Sequence, residues 1–436
     1  MTTTFLKDIE TVARNGGAKA PWLEALRRQG AERFAATGFP TSRDEDWRFN
    51  TLAPLTQAEF QLAPAEVSGV TAADVAPFLY AIPGVRTLVF VNGRYAPALS
   101  SPGEVPAGVT VRNLAAALGA QHPVLEAHLG RYAEPGKGGF TALNTAFVKD
   151  GLFVHVERNV DAGAPIHAVF VSDGKVGNAA SHPRSLIVVE RGARVAVLES
   201  YVGPAGGTYF TNAVTEAVVG DNAQFEHLKI QRESELASHV GTTHIHQGRD
   251  SRATSFSISF GAAFGRNNLD INLDGENIES QMLGLYMGHG RQELDNHTNL
   301  LHAHPNCATR EVYKGILDDR AHGIFNGKIY VTPIAQKTDA KQTNRALLLS
   351  DTARIDTKPQ LEIFADDVKC THGATVGNLD QLAGFYLKSR GIGGALGRKI
   401  LVYAFAAEIL EEIPYESVRQ GLEALVMARL DARGEG

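Results

Sequence analysis

Between residues 190 and 288 the chain repeats one short theme: a polar or glycine turn running into alternating apolar residues. The stretches "ERGARVAVLES", "VVGDNAQFEHLKI", "HQGRDSRATSFSISFG" and "LDGENIESQMLGLYMG" carry it, and their marking glycines Gly192, Gly220, Gly248 and Gly275 lie 28, 28 and 27 residues apart. A period of this size is the signature of stacked coils, none of which can bury its apolar face alone. A parallel β-helix needs one turn of chain per coil and tolerates variable coil length. A propeller blade needs about 40 residues or more, and a doubly wound sheet needs helices between its strands. The spacing therefore predicts a β-helix or β-solenoid, continued less regularly through "LDDRAHGIFNGKIYV" and "LSDTARIDTKPQLEIFA".

The pattern divides the 436 residues into three. Residues 1–140 read as mostly helical, with "FLKDIETVARN", "PWLEALRRQGAERFAATG", "DVAPFLYAI" and "NLAAALGAQHPVLEAHLGRY" showing three- and four-residue apolar spacing. A brief extended pair, "RTLVFVNGRY" and "GVTVRNL", sits among them, the first with an Asn92-Gly93 turn. Residues 141–377 form the repeat-built core. Residues 378–436 return to helix, and "LGRKILVYAFAAEILEEI" carries an apolar stripe wider than one face needs. That stripe suits either a cap on the solenoid end or a dock for a partner.

An apolar fraction of 44% is enough for a substantial core, and a net charge of −6 without basic blocks points away from nucleic acid and anionic membranes. No apolar run approaches the length of a membrane span, and "MTTTFLKDIETVARNGG" has no signal-peptide core. Two cysteines suit a reducing compartment, so the cytoplasm is the expected location. Phosphate-loop, dinucleotide and nucleophile-elbow motifs are missing.

Histidines and cysteines supply the candidate chemistry. "TTHIH" sets His244 and His246 on one face of a strand, and "NHTNLLHAHPNC" gathers His297, His302, His304 and Cys307. Imidazole and thiolate are competent zinc or iron ligands, but the usual paired spacings are absent. Stacked, hydrogen-bonded histidines of a solenoid are the competing account. In "KCTHG" the side chains of Cys370 and His372 would point the same way from an extended segment. Either they share an ion, or Cys370 is a small buried hydrophobe beside a turn histidine. An iron–sulfur cluster normally takes four protein ligands, so two cysteines exclude a stable ferredoxin-type centre within this chain. The stretch 311–351 is dense in Lys, Asp, Gln and Asn, with Lys337, Asp339, Lys341 and Gln342 suited to stacked ladders or to a partner-facing groove.

The runs "SRDEDWRFN", "YKGILDDRAHGIFNGKIYV", "AQKTDAKQTNRALLLSDTARIDTKPQLEIFADDVKCTHGATVG" and "FYLKSRGI" resemble the SufD family, scaffold subunits of the SUF iron–sulfur cluster assembly machinery related to SufB. The resemblance implies a right-handed parallel β-helix flanked by helical regions, pairing with SufB through that helix. It implies a non-catalytic subunit that binds no stable cofactor alone and shares a transient iron–sulfur cluster with SufB, with His372, and less directly Cys370, at the shared site. The C-terminal helices would dock SufC, an ABC-type ATPase, through Tyr386, Arg390, Ile400, Leu401, Phe405 and Ile409. An exposed β-helix surface and an apolar tail also leave a homodimer of the isolated chain open, which the sequence does not decide. Two other readings compete: a carbohydrate-active β-helix enzyme, and a zinc- or iron-binding protein built on the histidines at 297–304.

Overall fold

The computed structural model describes residues 4–9, 20–64, 69–175, 177–204 and 206–431. Of the first helix expected from the sequence, residues 4–9 are helical and the remainder lies outside the described residues. The core is a β-solenoid of eight coils, each giving one strand to each of two facing parallel sheets. In chain order the strands are β1 (Leu152–Val156), β2 (Ile166–Val171), β3 (Arg184–Val189), β4 (Arg194–Val202), β5 (Tyr209–Val219), β6 (Gln224–Arg232), β7 (Ser238–Gln247) and β8 (Arg252–Ser259). They continue as β9 (Phe264–Leu273), β10 (Glu279–Gly288), β11 (Glu293–His302), β12 (Ala308–Leu317), β13 (His322–Val331), β14 (Asp339–Leu348), β15 (Arg354–Ile363) and β16 (Lys369–Gly377). Odd strands build one sheet and even strands the other, each pairing with its equivalent in the next coil.

One corner of the solenoid explains the repeat. Asn159, Gly192, Asn222, Asp250, Asn277, Asn306 and Lys337 all adopt positive φ. Their amides bond to the next coil in an unbroken ladder, from Asn159 N to Arg191 O at 3.0 Å to Asn306 N to Gln336 O at 2.9 Å. Only Gly and, at modest cost, Asn or Asp enter this region readily, and the sequence supplies them at every one of these corners except Lys337. Gly192 occupies this left-handed point itself, whereas Gly220, Gly248 and Gly275 sit two residues before it. Measured at the equivalent point, from Gly192 through Asn222 and Asp250 to Asn277, the coils are 30, 28 and 27 residues long. The three later glycines are needed for close approach: a Cβ on Gly275 would lie 2.5 Å from Arg249 N.

Because side chains alternate along a strand, each coil points one row into the lumen and one outward. The lumen is filled by residues such as Val197, Phe225, Ile245, Ile271, Tyr313 and Phe325. Outside the odd sheet, the N-terminal region supplies Phe34, Phe39, Leu55 and Phe140 against Phe210, Val240 and Phe264. It also lengthens both sheets: Arg86–Val91 runs parallel to β2, and Val109–Asn113 runs antiparallel to β1. Outside the even sheet lie three helices, α1 (Gln381–Ser389), α2 (Gly394–Leu410) and α3 (Glu416–Asp431). Val402, Ala406, Ile409, Val418, Leu422 and Val426 from the last two close over Leu228, Phe256, Leu283, Leu285 and Ile316. Among the described residues, no helix is long and apolar enough to cross a membrane.

Candidate functional site

Strands β15 and β16 make the last coil, and among the described residues each pairs on one side only, β15 with β13 and β16 with β14. Their other edges present unpaired backbone groups over strands of 10 and 9 residues. Nearly every residue of β16 is exposed, and most of β15 is half-buried, whereas at least half of each inner strand is buried. An uncovered parallel edge of this length is a ready template for another chain. Exposed Ile334, Phe364 and Val376 add apolar surface around it.

Register places Cys370 opposite Ala340 and His372 opposite Gln342. Ala340 and Gln342 are buried lumen residues, so Cys370 and His372 continue the inward row at the rung where the lumen opens. Cys370 is half-buried and packs on the last of the lumen core. Burial pushes its thiol up, and the Ala340 backbone contact only partly offsets this, so the free thiol form is favoured. His372 is exposed. The two side chains thus share a face at the mouth of the solenoid, two residues apart, and neither is enclosed.

The other soft ligands are dispersed, apart from His246 and His304, which share the Asp274 carboxylate. His302 faces the lumen, with Nε2 at 3.1 Å from Thr309 Oγ1, and burial lowers it to about 4. His297 lies on the opposite face of the same strand, 3.2 Å from Asp295. His304 meets Asp274 at the corner at 3.3 Å, and His246 meets the other oxygen of that carboxylate at 3.5 Å. His244 is buried and held down to about 3. Cys307 is buried, its thiol donating to Gly275 O at 3.3 Å. Among the described residues, no group of three or more His, Cys, Asp or Glu side chains is arranged to hold a metal ion. Of the polar stretch at 311–351, Lys341 and Asp339 pair at the surface, Lys337 takes the corner beside Asp367, and Gln342 turns into the lumen.

The C-terminal helices form a second feature. Helix α1 is capped by Asp380, whose Oδ1 accepts from Leu382 N at 2.8 Å, and it buries no residue of its own. Leu382 is 80% exposed and Phe385 72%, and Tyr386, Leu396 and Ile400 are exposed as well, so α1 and α2 both present uncovered apolar side chains among the described residues. Arg390 lies over the Tyr386 ring at 5.2 Å. Leu401 and Phe405 are half-buried, and Ile409, at 1% exposure, is packed against the even sheet. Ile409 therefore serves the joint with the solenoid, not the open surface. Lys314 of β12 pins that joint: its Nζ donates to Phe405 O at 3.0 Å and meets Glu408 Oε2 at 2.5 Å.

Two features escape the sequence pattern. One is the Lys314 pin, which needs the helix placed on the sheet before it can be seen. The other is a buried pair in the lumen, Glu311 and Gln342, whose side chains bond at 2.8 Å. Period-two alternation through "TREVYKG" and "DAKQTNRA" points both residues to one face, but not to each other. A polar cleft of about 850 Å³ also opens between the N-terminal region and the outer face of the odd sheet, lined by Trp47, Lys137, Arg266, His297 and Lys328 among others.

Comparison with known proteins gives a consistent result over most of the chain. The family profile described as SUF system FeS cluster assembly, SufBD core domain, matches residues 170–405, and that of the SufBD protein N-terminal region matches residues 8–168. An iron–sulfur cluster assembly SufBD family protein of Synechocystis is 37% identical over 97% of this chain and 95% of its own length. The iron–sulfur cluster assembly protein SufD of Escherichia coli is 32% identical over 92% of each chain. The protein of the same name from Bacillus subtilis is 30% identical over 66% of this chain and 65% of its own.

Proposed function

The chain belongs to the SufBD family of SUF iron–sulfur cluster assembly proteins, and from that premise we propose that it is a SufD-type scaffold subunit that lends one side of a shared cluster-building site. The observation that carries this reading is the open last coil. Two long parallel edges end the solenoid without a cap, and the inward row of the even sheet surfaces there as Cys370 and His372. A SufB partner laid against these edges would satisfy their backbone groups and enclose His372 between the two chains. His372 then supplies an imidazole nitrogen to an assembling cluster, which is cargo here and needs its remaining ligands from the partner. Cys370, held as a thiol by burial, takes the lesser part.

The uncovered apolar surface of α1 and α2 is the dock for the SufC ATPase, read through Tyr386, Arg390 and Ile400, with Leu401 and Phe405 behind them. Lys314 and the buried faces of α2 and α3 transmit any movement of that dock to the even sheet, the one that ends at His372. No catalytic group of its own is required in this reading, since ATP turnover belongs to the partner. Without partners, the same edges would pair two copies of this chain. A cytoplasmic setting, where thiols stay reduced, fits such a role.

The test is His372→Ala in a complex reconstituted with SufB and SufC. Cluster assembly should fall by at least tenfold while the complex and the thermal midpoint of the chain stay intact. An unchanged assembly rate in the intact complex would sink the assignment.

A further inference from the structure

On the even sheet one inward row runs in register through His227, Ser255, Met282, Glu311, Gln342 and His372. Neighbouring strands stand about 4.8 Å apart, so each side chain in the row has the next as its immediate neighbour. Gln342 is thus the rung just inside His372, and Glu311 the rung inside that; each is 1% exposed.

The Gln342 amide is fixed at one end and open at the other. Its Nε2 donates to Glu311 Oε2 at 2.8 Å, which turns the carbonyl end away from the acid. That carbonyl oxygen, Oε1, is buried and has no hydrogen-bond partner among the described residues. Buried acceptors in native proteins are nearly always satisfied, so an orphan calls for a donor. Across the lumen, Gly327 of β13 makes room for the amide. A Cβ there would lie 2.8 Å from the amide carbon of Gln342 and 2.9 Å from the Phe325 ring. Gly327 does not take a positive φ. A glycine in mid-strand weakens the strand, and close approach of another group is the usual reason for one. Here the amide is that group.

An imidazole that gives one nitrogen to a metal needs its other N–H held by an acceptor, which sets both tautomer and ring direction. We propose that Gln342 is a positioning residue for His372: its orphan carbonyl accepts one imidazole N–H and directs the other nitrogen out of the lumen mouth, while Glu311 and Gly327 hold the amide in place. The assignment deepens the reading of His372 as a contributor to the shared site and rests on it. Burial raises the Glu311 carboxyl to about 7, with Thr298 and Gln342 only partly opposing, and in either protonation state it keeps an oxygen that accepts from the amide.

The experiment uses the full-length chain with ¹⁵N-labelled histidine at pH 8, reading the two ring-nitrogen shifts of His372. In the wild type one tautomer should dominate. Gln342→Leu removes the acceptor, and Gly327→Ala displaces the amide without removing it; both should move the His372 shifts towards those of free histidine. Glu311→Gln keeps an acceptor for the amide and should leave them near wild type. A thermal melt of each variant confirms that it is folded, and Gly327→Ala stands in if Gln342→Leu is not. Reconstituted with the partners, Gln342→Leu should slow cluster assembly about 10- to 100-fold. Unchanged His372 shifts in a folded Gln342→Leu or Gly327→Ala chain overturn the proposal. Normal assembly in His372→Ala would instead remove the reading of His372 as a contributor, leaving the ring-nitrogen shifts to decide whether Gln342 orients it.

Discussion

His227 and His372 stand in the same inward row of the same sheet, five rungs apart, and they share nothing else. His227 is buried between coils. Its Nε2 meets Glu199 Oε2 at 3.0 Å and its Nδ1 meets Ser255 at 3.3 Å, while Glu199 also accepts from Ser185 at 2.7 Å and Thr215 at 2.8 Å. His372 sits on the last rung with a coil on one side only, and it is exposed. The lesson is that residue type and backbone position do not decide the role of a solenoid histidine. The number of coils covering it does: two coils convert an imidazole into a structural hydrogen-bonding group, and one leaves it free for chemistry.

That contrast can be broken at its buried end first, where the largest effect is expected. Glu199→Ala strands His227, Ser185 and Thr215 in the lumen and should cost about 3–5 kcal/mol in urea unfolding. Burial favours the neutral acid, but the hydrogen bonds from His227, Ser185 and Thr215 outweigh it and hold Glu199 below the usual carboxylate range. A depressed carboxylate stabilises the fold above its unfolded value of about 4.3 and loses that contribution as pH falls through the folded one. The deficit of Glu199→Ala should therefore be full at pH 7 and shrink below about pH 4. His372→Ala, by contrast, should change stability by no more than about 0.5 kcal/mol.

The C-terminal helices repeat the contrast on a second pair. Ile409→Ala empties a site sealed against the even sheet and should cost about 2–5 kcal/mol. Phe385→Ser, on the uncovered side, should cost less than about 0.5 kcal/mol yet weaken capture of the ATPase partner in a pull-down. Equal stability losses for the two would mean that the apolar surface is already covered within the chain. An effect of the opposite sign is expected at the corner ladder, where Lys337 alone holds the left-handed point without being Gly, Asn or Asp. Lys337→Asn should raise stability by up to about 1 kcal/mol, measured by unfolding at equilibrium; a loss would show that the exposed pair with Asp367 outweighs the backbone cost.

The solenoid was legible because coil corners leave a backbone signature. Residues able to take positive φ recur at Gly192, Asn222, Asp250, Asn277 and Asn306, and the alternation between them fixes which side chains face inward. The glycine spacing hid a shift, since Gly220, Gly248 and Gly275 answer a steric demand two residues away from the one Gly192 meets. Both kinds of glycine look alike in one dimension. The exposure of Cys370 and His372 was less accessible, because it depends on the absence of a ninth coil beside them. Sorting His297, His302 and His304 needed the inward and outward faces of one strand to be told apart, and the corner to be located. The Glu311–Gln342 pair was hidden for the same reason: the two residues lie 31 positions apart and meet only once two coils are stacked in register.

The most direct test of the last coil as an interface is amide hydrogen exchange across β13 to β16 with and without a SufB partner. The inner strand β13 should exchange slowly in both states. Strands β15 and β16 should exchange fast alone and become protected on complex formation, with the largest change around His372. Protection that leaves 354–377 unchanged while the complex forms would contradict the account, and would place the partner elsewhere on the solenoid.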